Sequence, residues 1–291
     1  VSEVFGKIAA LHTDPIEKKP LYHFFPGRVI LSLGTTGCNF HCVFCQNYTL
    51  SQVDTRHTVS CKNLLPGEAA ALSASTADNL GLAFTYNEPF INFEFGIQTA
   101  EAVKQNNQKT VMVSNGYFNP EPLRILLECI DAFNIDLKGF TDSFYRKNSG
   151  GTLAPVLNSL RSIALSNRHL EITHLVIPGL NDDDDTFEAL CRWIRDETGK
   201  DTVLHLSRYF PRYKLSQYPT PAETLFRLFD IAREYLNFVY IGNMATEIHS
   251  NTYCPSCGKC LIERTYYHVN NSGIDELGRC RHCGTPIVKY P

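Results

Sequence analysis

Residues 29–45 are the most informative part of the chain and read Val29-Ile30-Leu31-Ser32-Leu33-Gly34-Thr35-Thr36-Gly37-Cys38-Asn39-Phe40-His41-Cys42-Val43-Phe44-Cys45. The apolar run at the start predicts a short buried strand. Gly34 and Gly37 then supply the permissive backbone that a tight loop needs. The sequence therefore predicts a strand that leads directly into a cysteine-rich loop.

The loop carries a C-x3-C-x2-C pattern formed by Cys38, Cys42 and Cys45. Three thiolates within eight residues can surround one soft-metal centre, and thiolates select iron–sulfur clusters, zinc or copper(I). Three ligands leave one iron of a four-iron cluster open to a substrate or cofactor. The alternative is a zinc site that His41 completes.

Outward from this loop, apolar runs alternate with amphipathic segments, and we count six strand–helix pairs and one further strand. Such alternation predicts βαβ units and a parallel α/β sheet, as an incomplete barrel or an open sheet. The predicted strands are Val29–Leu33, Leu82–Tyr86, Lys109–Ser114, Ala132–Leu137, Leu170–Ile177, Thr202–Ser207 and Phe238–Ile241. The predicted helices are Glu68–Asn79, Ile91–Gln105, Pro120–Ile130, Ala154–Ser166, Asp182–Glu197 and Ala222–Leu236.

Composition narrows the class of protein. The chain has 291 residues, of which 43% are hydrophobic, and a formal net charge of −3. This balance disfavours a nucleic-acid partner, because such proteins are usually basic. We find no apolar run of membrane-spanning length and no secretory signal pattern. The 11 cysteines are therefore expected to be reduced thiols in a cytoplasmic protein.

The end of the chain predicts a second metal site. Cys254, Cys257, Cys280 and Cys283 form two C-x2-C-G knuckles, and four such thiolates typically make a closed structural zinc site. The same geometry also binds a single iron, and Cys260 could instead contribute to an auxiliary iron–sulfur cluster. We predict an N-terminal wrapping segment over 1–28, a core domain over 29–249 and a zinc-ribbon or rubredoxin-like module over 250–291.

Polar residues follow successive predicted strands. They include the Thr85–Pro89 segment, Ser114 with Asn115, and Asp136 with Lys138. Because the carboxyl ends of parallel strands share one rim, these side chains are expected to meet there. The simpler alternative for Asp136 and Lys138 is a buried structural ion pair.

Two further features lie on or after the sixth predicted strand. His205 stands between two leucines, and it could be a core histidine rather than a ligand contact. The segment Tyr209–Lys214 mixes aromatic and basic residues. It could bind a negatively charged or extended substrate, or it could be an ordinary amphipathic loop.

The cysteine motif resembles the C-x3-C-x-aromatic-C signature of radical SAM enzymes, with Phe44 in the aromatic position. The resemblance extends over almost the whole chain and is closest to the AmmeMemoRadiSam-system radical SAM enzymes, relatives of the pyruvate formate-lyase activating enzymes. It is carried by residues 14–23, 38–47, 85–89, 114–117, 134–138, 176–182 and 250–259. It implies a partial (β/α)6 barrel of the radical SAM type with a small C-terminal metal ribbon held by four cysteines.

The resemblance also implies a reaction. Cys38, Cys42 and Cys45 would hold a 4Fe–4S cluster whose fourth iron binds S-adenosylmethionine (SAM). Reductive cleavage of SAM would then give a 5′-deoxyadenosyl radical that abstracts hydrogen from a protein or small molecule. Residues that would contact SAM are Phe44, Tyr86, Asn87, Glu88, Ser114, Asn115, Asp136, Lys138, Ile177 and His205.

Four of these contacts have implied roles. Glu88 would receive the methionine ammonium, Lys138 would meet the methionine carboxylate, the backbone at Ile177 would flank the adenine, and His205 would reach the ribose. Tyr86 and Asn87 depart from the family pattern, which has glycines at these positions.

Three hypotheses about function follow. The first is the radical SAM reaction on an unidentified substrate, with a low-potential electron donor such as ferredoxin or flavodoxin as partner. The second is a glycyl-radical-enzyme activase that acts on a partner protein. The third, from another class, is a metal-stabilised binding module in which both cysteine sets hold structural zinc.

Overall fold

The computed structural model describes residues 2–53, 60–246 and 248–291. Within them the strands are β1 (Lys7–Ile8), β2 (Ala10–Pro15), β3 (Val29–Gly34), β4 (Lys62–Asn63), β5 (Asn79–Phe84), β6 (Lys109–Ser114), β7 (Ala132–Asp136), β8 (His169–Val176), β9 (Val203–Arg208), β10 (Val239–Gly242), β11 (Thr252–Tyr253), β12 (Cys260–Thr265) and β13 (His268–Asn270). The α-helices are α1 (Tyr48–Ser51), α2 (Pro66–Ser75), α3 (Phe93–Gln105), α4 (Pro120–Cys129), α5 (Asp142–Asn148), α6 (Leu153–Leu165), α7 (Asp184–Thr198) and α8 (Ala222–Tyr235). No helix in these ranges combines the length and apolar character needed to cross a bilayer.

An eight-stranded sheet forms the body of the protein, in the order β10-β9-β8-β7-β6-β5-β3-β2. Its strands from β3 to β10 are mutually parallel, and β2 pairs antiparallel with β3 at one edge. Strands β2 and β10 do not pair with each other. The sheet therefore does not close on itself, and the fold is an α/β fold with a mainly parallel sheet, as the alternation of apolar and amphipathic segments predicts.

Helices cover one face of this sheet. Helix α7 shows why the sequence starts a helix where it does: the Asp183 carboxylate accepts a hydrogen bond from the Thr186 N–H at 2.9 Å. Asp184 and Asp185 lie in the first turn, where negative charge complements the helix dipole. Gly199, at φ +99°, follows the last turn.

The N-terminal segment packs on the opposite face of the sheet. Ile16, Leu21 and Phe24 form a buried cluster with strand residues such as Ile30 and Val111. The neighbouring strand positions, which alternate in direction, pack on the helices instead. The core therefore has two layers, and the N-terminal segment supplies one of them.

Glu171 on β8 fixes this segment in place. Its fully buried carboxylate accepts the backbone N–H groups of Tyr22 at 2.9 Å and His23 at 2.7 Å. It also accepts from Nε2 of His169 at 2.9 Å and of His205 at 2.6 Å. Burial alone would raise the pKa of Glu171, but the two histidine donors outweigh it and hold that pKa well below 4.5.

The C-terminal residues form a small three-stranded antiparallel sheet, β11-β12-β13. Leu261 and Ile262 pack in a buried cluster with Phe238 and Tyr240 at the β10 edge of the main sheet. The Arg264 guanidinium donates to the backbone oxygen of Tyr22 at 2.8 Å. This ribbon is thereby attached to both the sheet and the N-terminal segment.

Candidate functional site

The cysteine loop leaves the carboxyl end of β3 and is held on its far side by backbone hydrogen bonds. The N–H groups of His41 and Val43 donate to the carbonyl oxygens of Ser149 at 2.8 Å and Asn148 at 2.9 Å. Gly37 turns the loop at φ +93°, where an added Cβ would lie 2.9 Å from Ile91 Cδ1. These contacts define the backbone of the loop.

The three loop cysteines lie within eight residues of one another, a spacing that lets their thiolates hold one iron–sulfur cluster. The His41 ring, which could have completed a zinc site, has Nδ1 3.2 Å from Gln52 Oε1. The Phe40 N–H donates to Cys38 Sγ at 3.3 Å, a contact typical of iron–sulfur ligands.

A cavity of about 250 Å³ lies beside these cysteines at the carboxyl ends of the strands. Most of the residues that the sequence predicts for the site line it together. They are Cys38, Cys42, Phe44, Cys45, Tyr86, Asn87, Glu88, Ser114, Asn115, Asp136 and Lys138. The fold thus brings the cysteine loop and the polar strand ends around one space.

Asn87 connects the end of β5 to the start of the cysteine loop. Its Oδ1 accepts from the Thr35 N–H at 3.0 Å, and its Nδ2 donates to the Gly37 carbonyl at 3.0 Å. The side chain therefore positions the loop, a role that a glycine could not fill.

Glu88 connects β5 to β6. Its buried carboxylate accepts from the N–H groups of Phe90 at 3.0 Å and Asn115 at 2.9 Å, and from Ser114 Oγ at 2.8 Å. Burial raises the pKa of Glu88 to about 7, although the three donors oppose the shift. The carboxylate thus fixes the ends of neighbouring strands as well as lining the cavity.

Tyr86 adopts the left-handed backbone conformation, with φ +73°. A bulky residue rarely occupies this region, which glycine enters freely. The side chain is anchored, since its hydroxyl donates to Asp14 Oδ2 at 2.7 Å and the Lys19 ammonium lies 4.7 Å from its ring centroid. The backbone shape suited to the family's glycine is therefore present, and Asp14 and Lys19 of the N-terminal segment hold it.

Asp136 and Lys138 form an ion pair at the end of β7, with Nζ 2.8 Å from Oδ2. Burial acts to lower the pKa of the Lys138 ammonium, but attraction to Asp136 and Cys42 is stronger and raises it. Because both residues also line the cavity, the pair places a positive charge beside the cysteines.

Two predicted residues do not line this cavity. Ile177 is fully buried, and its N–H donates to Asn181 Oδ1 at 2.6 Å. His205 is held by Glu171, and its ring packs edge-on against Tyr22 at a centroid distance of 4.7 Å. The contacts of Ile177 and His205 with SAM, which the family resemblance implies, stay predictions.

His205 lines a second cavity of about 720 Å³. The two cavities adjoin, because Tyr86, Thr173 and Ser207 line both. Residues from three parts of the chain surround the second cavity, among them Lys18 of the N-terminal segment and Tyr267 of the ribbon.

Sequence reasoning missed several lining residues of the first cavity. Gln46 and Asn47 directly follow the last loop cysteine, and Asn47 Nδ2 donates to the Tyr86 carbonyl at 2.7 Å. Thr173 and Ser207 lie on β8 and β9, which carry other polar residues as well. The sequence therefore gives no signal that singles them out.

In the ribbon, Cys254, Cys257, Cys280 and Cys283 bring their sulfurs within 4.8 Å of one another. The Cys254–Cys283 and Cys257–Cys280 sulfur distances are 3.5 and 3.7 Å, as expected for ligands of one tetrahedral ion. Cys260 lies on β12 outside this group. The four cysteines are therefore a metal-binding group.

Comparison with known proteins agrees with this geometry. Residues 32–193 match the Radical SAM superfamily model. An uncharacterized protein of Methanocaldococcus jannaschii is 41% identical over 286 residues, which cover 97% of this chain and 84% of that protein. The pyruvate formate-lyase 1-activating enzyme of Escherichia coli is 25% identical over 163 residues, 55% of this chain and 66% of that enzyme.

A solved structure shows the same fold. The radical SAM methyltransferase from Sphaerobacter thermophilus superposes with a TM-score of 0.58 at 17% identity, covering 75% of this chain and 67% of that one. The family match covers more than half of this chain and includes the three loop cysteines. The chain therefore belongs to the radical SAM superfamily, and this membership implies a 4Fe–4S cluster and S-adenosylmethionine as its cofactors.

Proposed function

We propose that this chain is an enzyme that holds a 4Fe–4S cluster through Cys38, Cys42 and Cys45 and binds SAM in the 250 Å³ cavity. The observation that carries the proposal is that the cysteine loop and the polar strand ends line one space. When bound and reduced, the cluster supplies the electron that cleaves SAM to methionine and a 5′-deoxyadenosyl radical, which abstracts hydrogen from the substrate.

The chain's own residues bind and orient SAM in this proposal. The Lys138 ammonium, held by Asp136, attracts the methionine carboxylate. The Glu88 carboxylate lines the same cavity and would attract the methionine ammonium. It also holds Ser114 and Asn115 in place by accepting their hydrogen bonds. Phe44 is buried in the cavity wall and excludes water.

Asn87 and Tyr86 act as positioning residues. Asn87 fixes the loop that carries the cysteines. Tyr86 lines both cavities at the place where they adjoin.

The substrate binds in the 720 Å³ cavity. A molecule there lies next to SAM, because the two cavities share three lining residues. Lys18 and Lys19 pair with the Asp14 carboxylate, and Glu17 lines the same cavity, so charged groups of both signs surround it. His205 and Tyr267 add hydrogen-bonding groups, and the lining as a whole suits a polar substrate.

Anaerobic reconstitution tests this proposal. The protein should bind about four iron and four sulfide and, with a low-potential reductant, release 5′-deoxyadenosine from SAM. A Cys42→Ala variant should lose both properties. Zinc in both cysteine sets, with no 5′-deoxyadenosine formed, would refute the enzyme and support a binding module.

For the ribbon we propose structural zinc at its four cysteines. The support is the grouping of the four sulfurs within 4.8 Å of one another and the small size of the module, which needs metal for its folding energy. Metal analysis of protein purified without added iron should give about one zinc. One iron with a rubredoxin-like absorption spectrum would contradict the assignment.

A glycyl-radical-enzyme activase is the second candidate function. It is supported by similarity to a pyruvate formate-lyase activating enzyme over 163 residues. Reduced enzyme mixed with cell extract and labelled SAM should then produce a glycyl radical, visible by electron paramagnetic resonance, in a partner protein. Label transfer to a metabolite without such a signal would favour a small-molecule substrate.

A further inference from the structure

The segment Arg208–Tyr218, which starts at the last residue of β9, lies directly against the cysteine loop. The Gln46 side chain donates from Nε2 to the Phe210 carbonyl at 3.1 Å. The Lys214 N–H donates to the Val43 carbonyl at 3.0 Å. Gln46 and Val43 are each the next residue after a loop cysteine, so the segment connects the cysteines to the protein surface through short covalent and hydrogen-bonded routes.

The outer surface of this segment is aromatic. Phe210 is 38% exposed and Tyr213 is 37% exposed. The Tyr213 ring stacks on Tyr48, at the start of α1 just beyond the cysteine loop, with centroids 5.0 Å apart and planes 17° apart. Neither Phe210 nor Tyr213 lines the first or the second cavity. These rings therefore lie at the surface and outside both cavities.

The segment is also basic. It contains Arg208, Arg212 and Lys214 and no acidic residue. Arg212 and Lys214 are exposed, and neither forms an ion pair with any acidic residue that the structure describes. The Lys214 ammonium lies 5.0 Å from the Tyr213 ring centroid. The chain as a whole carries a net charge of −3, so this positive charge is local.

We propose that this donor face, formed by Val43, Gln46, Tyr48, Phe210, Arg212, Tyr213 and Lys214, is the docking site of a small, acidic, low-potential redox protein. The inference rests on the cluster of the proposed function. In each encounter the donor is oxidised by one electron, and the cluster held by the loop cysteines is reduced by one. Electron-transfer partners form small, transient interfaces in which complementary charge raises the association rate.

The alternative occupant of a basic aromatic surface is single-stranded nucleic acid, which stacks its bases on such rings. The donor is favoured because the face is small and contacts the cysteine loop, which a nucleic acid does not need.

The test uses the reconstituted enzyme and an acidic flavodoxin as the probe. We compare wild type with a variant that combines Arg212→Glu and Lys214→Glu. The control variant combines Lys200→Glu and Lys289→Glu and changes the net charge by the same amount. These two lysines lie near the amino ends of β9 and β8, at the opposite end of the strands from the donor face. Flavodoxin association is measured by surface plasmon resonance at low and high salt. SAM cleavage is measured with reduced flavodoxin and with photoreduced deazaflavin, a small reductant that needs no docking.

The donor-face variant should bind flavodoxin at least about tenfold more slowly at low salt, with a weaker salt dependence. Its flavodoxin-driven cleavage should fall similarly, while deazaflavin-driven cleavage and the control variant stay at wild-type values.

The assignment would be overturned if the donor-face variant bound flavodoxin as fast as the wild-type enzyme does. It would also be overturned by a loss of affinity for single-stranded RNA with flavodoxin binding unchanged. If wild type cleaved no SAM with either reductant, the proposed function would fail and the inference with it.

Discussion

Replacing Glu171 by glutamine should destabilise the protein strongly with almost no change in side-chain volume. The carboxylate accepts one backbone N–H and one histidine at each oxygen. A glutamine presents one oxygen and one NH2 group, so one side of the network faces a donor instead of an acceptor. A histidine can change its tautomer in response, but the N–H of Tyr22 or His23 cannot.

The expected cost follows from this count. One buried backbone N–H without a partner costs about 1–3 kcal/mol, and replacing charge-assisted by neutral hydrogen bonds costs about 1 kcal/mol more. We therefore expect a loss of about 2–4 kcal/mol in the free energy of unfolding.

The loss should also depend on pH. Because the pKa of Glu171 lies well below 4.5 in the folded protein, its stabilisation is complete above that pH and is lost as the pH falls towards the folded-state value. The difference between wild type and variant should be constant near neutral pH and shrink in acid.

Urea unfolding of preparations with matched metal content measures this difference. Glu234→Gln is the control, since Glu234 is exposed, and it should change stability by less than about 0.5 kcal/mol. Equal stability of wild type and Glu171→Gln would show that the carboxylate does not fix the N-terminal segment.

Three other changes test separate parts of the structure. Cys42→Ala should bind no iron–sulfur cluster, while Cys129→Ala, which removes a buried helix thiol, should keep the wild-type iron and sulfide content; retained cluster in the first variant would contradict the ligand assignment. Cys257→Ser should lower the melting temperature and expose the ribbon to protease, with cleavage sites mapped by mass spectrometry, and an unchanged digestion pattern would show that the ribbon folds without its metal. Gly81→Ala would press a Cβ into the backbone carbonyl of Lys109 on the neighbouring strand and should cost about 3 kcal/mol in urea unfolding, whereas Gly67→Ala, with no atom within 4 Å, should cost almost nothing.

The order of the main strands and helices could be predicted because apolar residues dominate most of the parallel strands and several helices start with a proline or an acidic first turn. The sequence did not predict the short helices α1 and α5. Strand β2 could not be predicted in this way, since Ala10–Pro15 has no apolar alternation and forms by pairing with the edge of β3. The N-terminal segment is thus partly sheet, where the sequence indicates only an extended wrapping segment.

The site was predictable where it depends on local order and not where it depends on distant contacts. The cysteine spacing and the polar strand ends are visible in the sequence, and the fold gathers them as expected. The anchoring of Tyr86 by Asp14 joins residues 72 positions apart, and the partnership of Glu171 with Tyr22 spans 149. No periodicity indicates such pairs, which is why the sequence did not place His205 beside Glu171 and the second cavity.

Tyr267 belongs to the C-terminal ribbon yet forms part of the wall around the larger cavity, with the Lys18 ammonium 5.2 Å from its ring. If the ribbon holds its metal and the substrate binds in the larger cavity as proposed, loss of that metal would disturb the wall of the substrate cavity and leave the cysteine loop intact. Turnover of the substrate would then fall before SAM cleavage does.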